Sequence, residues 1–136
     1  MSKTIILLFL GFTLFISGCG KNFDEYATEL GLAFGSPDIG NRPIPSFKTD
    51  ISPILTNQCA LAGCHVADGP DDVDLRTYDT LQKGGEHGPI ILAGNAQESE
   101  LVEEVVKRKM PPDGPYLDAD QIQLIIDWIN AGAKDN

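Results

Sequence analysis

Two cysteines and a histidine, in Cys59-Ala60-Leu61-Ala62-Gly63-Cys64-His65, constrain this chain more than any other feature. A close pair of thiols with an imidazole directly after the second reads as an attachment site for haem c. The thiols add across two vinyl groups, and the histidine that follows them reaches the iron from the proximal side. The common motif has two residues between the cysteines; here there are four. The longer loop must bulge, and the small residues Ala60, Ala62 and Gly63 permit that. Two other readings use the same atoms. Cys59 and Cys64 could close a disulfide, or could join His65 and His87 around zinc, which favours four ligands in structural sites. The adjacent Cys64 and His65 suit one tetrahedral ion poorly.

The third cysteine belongs to a different signal. Lys3 is followed by an almost unbroken apolar run from Ile5 to Ile16, twelve residues long. That is short of the roughly 20 residues a membrane-spanning helix needs, and it reads as an export signal. The run ends in Ile16-Ser17-Gly18-Cys19, which resembles a bacterial lipobox. On this reading residues 1–18 are removed and Cys19 becomes a lipidated N-terminus. The alternative is an ordinary signal peptide with an incidental cysteine. Gly20, rather than an aspartate, follows Cys19 and leans towards the outer membrane. The expected location is therefore a membrane surface facing the periplasm or the cell exterior.

Residues 19–46 read as a tether, punctuated by Gly31, Gly35, Pro37, Gly40, Pro43 and Pro45. A flexible chain of this length spans on the order of 30 Å. Phe23, Tyr26, Leu30 and Phe34 recur at helical spacing within it, so a short helix is expected, packed on the domain or lying on lipid. Packing on the domain is the preferred placement.

Residues 47–136 read as one compact all-α domain. Pro53 opens a short helix with Ser52 as its N-cap. Thr77 to Lys83 forms a second, closed by Gly84-Gly85. Glu98 to Lys109 forms a third, pairing Leu101 with Val105 and Val102 with Val106. Its three terminal cations, Lys107-Arg108-Lys109, suit a helix C-terminus or form a docking patch; the dipole explanation is preferred. Asp118 and Gln121 make a capping box for the last helix, whose apolar face comprises Ile122, Leu124, Ile125, Trp128 and Ile129. A core this small is marginal unaided, and a covalently held haem would add apolar mass.

Motif order then carries a resemblance. Pro53-Ile54-Leu55 precedes Cys59; Leu75 and Tyr78 follow it, with Gly84-Gly85 and Gly88-Pro89. Gly94, Ser99, Leu101, Met110-Pro111-Pro112, Trp128-Ile129 and Gly132-Ala133 complete the series. Together these resemble the planctomycete-type cytochrome c domain, a branch of the class I mono-haem cytochromes in which a four-residue gap between the cysteines recurs. The resemblance covers Phe47 to Ala133. It implies a small helical domain wrapped around one covalent haem c, with iron held by His65 and by a loop methionine.

Met110 is the sole methionine once the signal is removed, and it lies 45 residues after His65. His87 is the competing distal ligand, although its glycine-rich surroundings favour a surface position. Trp128 is expected against the first helix and the haem edge. Tyr78, Arg76 and Lys83 are candidates for a propionate, with a solvated face as the alternative.

The formal charge of −10, more negative by one once Lys3 is removed, disfavours nucleic acid and anionic headgroups as partners. It suits redox partners with a basic docking face, although solubility alone accounts for such a charge. With both axial positions filled, the expected function is one-electron transfer without substrate chemistry, so the chain is not read as an enzyme. A haem-based gas or ligand sensor with a labile distal ligand is the alternative.

Overall fold

The computed structural model describes residues 20–35 and 43–136. The export signal and Cys19 lie outside the described residues, as do 36–42 of the expected tether. Five α-helices follow in order: α1 Phe23–Glu29, α2 Ser52–Gln58, α3 Tyr78–Lys83, α4 Glu100–Val106 and α5 Ala119–Asn130. The described residues hold no strand, only an isolated bridge between Gly85 and Gly88. The helical class expected from the periodicity is thus observed. No helix among the described residues is long and apolar enough to cross a membrane.

Helix α5 is the core's axis. Its capping box forms as the sequence predicts: the Asp118 carboxylate accepts from Gln121 N–H at 2.8 Å, and Gln121 Oε1 accepts from Asp118 N–H at 3.1 Å. Ile122, Ile125, Ile126, Trp128 and Ile129 are buried. Leu124 is 36% exposed, so it lies off the core face to which the sequence assigned it, and Ile126 takes that place. Trp128 packs against Phe47 with ring centroids 5.5 Å apart, and its Nε1 donates to Lys134 O at 2.9 Å. The indole nitrogen is therefore satisfied inside the core.

The segment ahead of the cysteines starts earlier than predicted. A π-helical turn over Phe47–Ile51 runs directly into α2. Ser46 caps this run, accepting from Thr49 N–H at 3.4 Å, and Ser52 becomes an interior residue rather than the cap. Pro53 sits in the first turn of α2, where its missing N–H costs little.

Helix α3 starts one residue later than predicted, with Thr77 as its cap, and closes at Gly84 as expected. Gly84 has φ +76°, and a Cβ there would lie 2.3 Å from Gly88 O, so both conformation and space demand glycine. Helix α4 is shorter than the predicted Glu98–Lys109 span, because Arg108 adopts φ +55° and turns the chain away.

Of the two placements weighed for the N-terminal helix, the structure shows packing on the domain. Ala27 of α1 is buried, and Phe23, Tyr26, Leu30, Leu32 and Phe34 pack against the core. Beyond α1, Ala33 N–H donates to Gln123 Oε1 at 2.8 Å, and Gln123 Nε2 donates to Ala33 O at 3.0 Å. Residues 23–34 are thus a strap, with α1 beside α4 and Ala33 and Phe34 on α5, and the free length of the expected tether is correspondingly shorter.

Candidate functional site

Cys59 ends α2. Its N–H donates to Leu55 O at 2.9 Å, completing the last helical turn and placing the thiol in the core side of the domain, where Cys59 is buried. The chain then bulges through Ala60–Gly63 and returns. His65 N–H donates to Cys59 O at 3.2 Å, and Cys64 N–H donates to Leu61 O at 2.9 Å. The four-residue spacer is therefore accommodated outside the site. Leu61, Ala62 and Gly63 are exposed, Gly63 with φ +81°. Leu75 N–H donates to His65 O at 3.0 Å, which ties the segment after the motif to the histidine itself.

These residues open onto a cleft of about 250 Å³. Cys59, Cys64 and His65 line it from one part of the chain, and Met110 with Pro111 and Pro112 from another. Between them run the apolar side chains of Val73, Leu75, Ile90, Leu101 and Val105. All four cofactor-binding residues expected from the sequence thus share one apolar cavity. Trp128, Tyr78, Arg76 and Lys83 are absent from its lining. Tyr78 instead donates to Ala133 O at 2.9 Å, and Arg76 is bonded to Asp74 at 2.7 Å. His87, exposed as expected, nevertheless lies on the mouth of this same cleft.

Two features test whether these groups fit a haem. Both cysteines are free thiols. Burial first, and the neighbouring Cys64 second, push the Cys59 thiol up to about 11, so it remains protonated at neutral pH. The second is Nδ1 of His65, the buried side-chain nitrogen or oxygen that lacks a hydrogen-bond partner among the described residues. An orphaned buried group costs on the order of 1–3 kcal/mol and calls for an explanation. The same ring lines the cleft, where two thiols and an imidazole are the donor set that a thioether-bound cofactor needs.

The donor geometry also bears on zinc. Among the described residues, one group of three or more metal-capable side chains converges, and it is Asp71, Glu86 and His87, all exposed. Cys59, Cys64, His65 and His87 do not come together around a single point. Two thiols and an imidazole spread along the wall of an apolar cleft fit a large planar group better than one small ion. The residues present therefore fit haem c.

One positioning residue escaped the sequence reading. A Cβ on Gly69 would lie 2.1 Å from Cys64 O and 2.8 Å from Val66 O. The loop after the histidine folds directly onto the backbone of the motif, and only glycine leaves room. Gly69-Pro70 is visible in the sequence as a turn signal, but its contact with Cys64 is not.

Residues 62–114 match the family model described as Planctomycete cytochrome C. The matched span includes Cys64, His65, His87 and Met110, while Cys59 precedes it. No curated protein and no solved structure matches the chain. The match agrees with the resemblance carried by the motifs. The name of that model points to a c-type cytochrome domain, and so to covalent haem c, over these residues.

Proposed function

With residues 62–114 matching the planctomycete cytochrome c family, we propose that this chain is a mono-haem electron carrier held at a membrane surface outside the cytoplasm. The observation that carries the reading is the gathering of Cys59, Cys64, His65 and Met110 on one apolar cleft. Cys59 and Cys64 would hold the haem through thioethers, and His65 and Met110 would ligate its iron. The haem supplies one-electron redox chemistry. The chain's own residues supply the setting. Val73, Leu75, Ile90, Leu101 and Val105 exclude water from the wall, which limits reorganisation when the charge changes. The soft Met110 sulfur favours the reduced metal relative to a second imidazole and so raises the potential. Pro111 and Pro112 line the cleft beside Met110 and restrict the loop that presents it.

The membrane location rests on the lipobox ending at Cys19. With α1 docked, three residues, Gly20 to Asn22, separate Cys19 from the strap, an extended reach of about 10 Å. The domain then rides close to the surface instead of swinging on a long leash.

The axial assignment is tested on the purified holoprotein. The ferric form should show a weak long-wavelength band from sulfur-to-iron charge transfer. Met110→Ala should abolish that band, lower the potential and open the iron to carbon monoxide, while His87→Ala should leave all three properties nearly unchanged. The opposite pattern would make the iron bis-histidine, and rapid carbon monoxide binding by the unmodified protein would contradict the carrier reading.

A further inference from the structure

The mouth of the cleft is one-sided in charge. Asp71, Glu86, Glu100 and Glu104 line it, and among the described residues no lysine or arginine does. Asp71, Glu86 and Glu100 are exposed and have no ion-pair partner among the described residues. Glu104 alone is neutralised, by Lys109 at 2.8 Å, and Lys109 also feels Glu100. The cations that the sequence singled out as a possible patch are used locally. Lys107 is held by Glu103 at 2.5 Å, and the Arg108 guanidinium lies over the Tyr116 ring at 5.9 Å. Lys107 and Lys109 are therefore matched by carboxylates of α4 and Arg108 rests on a ring, whereas three carboxylates at the mouth have no ion-pair partner among the described residues.

We propose that this acidic rim is the docking face for a redox protein that presents a cationic surface, guiding it onto the mouth of the cofactor cleft. The inference rests on the haem reading above. Charge complementarity identifies the partner's chemistry: a cleft edged with one sign of charge focuses the field and speeds the encounter with the opposite sign. Net charge alone would attract such a partner to any face. The position of the unpaired carboxylates makes the attraction productive, because the cofactor is reached through the same opening.

The test holds net charge constant and moves its location. One variant carries Asp71→Asn, Glu86→Gln and Glu100→Gln. A control carries Asp24→Asn, Asp79→Asn and Asp120→Asn, three exposed carboxylates that do not line the cleft. Haem content and thermal melting establish that both holoproteins are folded, and EDTA keeps cations off Asp71, Glu86 and His87. Stopped-flow oxidation is then measured with tris(phenanthroline)cobalt(III), a trication, and with ferricyanide, a trianion. The rim variant should lose about tenfold in rate with the cation at low salt. It should gain with the anion and show a flatter salt dependence; the control should move much less. Equal effects of the two variants would show a field of the whole molecule and overturn the docking face. A preparation without covalent haem would instead defeat the functional reading, and the docking face with it.

Discussion

At the scale of single residues, the motif explains its own irregularity. The four residues between Cys59 and Cys64 fold outward, and the His65 N–H closes back on Cys59 O at 3.2 Å. The extra length is thus absorbed without moving the histidine away from the cleft. Gly69 holds this arrangement from the other side. Gly69→Ala should force the backbone at Cys64 and Val66 apart, lowering holoprotein yield and melting temperature together. Gly63→Ala provides the contrast, because no atom lies within 4 Å of its added Cβ. It should cost only the strain of a positive φ, about 1–2 kcal/mol. Equal yields and melting points for the two variants would show that the Gly69 contact is not needed. That Cys59, Cys64, His65 and Met110 belong together was legible in the sequence, since they are rare residue types, and the structure does place them on one cleft. Gly69 was not, because its reason lies in a contact across the loop. His87 was read from its glycine neighbours as a surface residue, which it is; that this surface is the cleft's mouth depends on how the Gly84–Gly88 turn folds back towards Asp71. Glu86 N–H donates to Asp71 O at 2.7 Å there.

At the scale of elements, local signals located helices well where caps were strong. Thr77 and Asp118 begin helices as predicted, because each side chain satisfies a backbone donor that nothing else nearby can. Ser52 failed as a cap because the preceding π-helical turn already supplies helical partners, a continuation that periodicity does not reveal. Tyr78 and Trp128 were considered for contact with the cofactor, yet both point their polar atoms into the C-terminal turn, at Ala133 O and Lys134 O. The strap is the least legible element, since its helical spacing fitted lipid as well as protein. Gln123 distinguishes the two, gripping both polar groups of Ala33. Gln123→Ala should remove the two hydrogen bonds to Ala33, worth about 1 kcal/mol each, together with a third to Asp127 Oδ1. Limited proteolysis should then cut residues 23–34 faster, while the haem spectrum stays unchanged. Unaltered cleavage would show that the apolar contacts of α1 hold the strap without help.

At the scale of the whole molecule, the parts leave room for a cofactor beside the core. The core gathers around α5, but a cleft of about 250 Å³ lies on its other flank, walled by apolar side chains that water would otherwise meet. A covalent haem seated there would bury that wall, and the acidic mouth would set which proteins reach it. Everything functional in this account depends on that covalent attachment. The most direct measurement is acid-acetone extraction followed by the pyridine haemochrome spectrum, on the unmodified protein and on Cys59→Ala and Cys64→Ala. The account predicts haem that stays with the unmodified polypeptide, and a band in each single variant shifted towards that of a haem with one free vinyl group. Haem that washes out of the unmodified protein, or a protein purified with both thiols free and no haem, would contradict it.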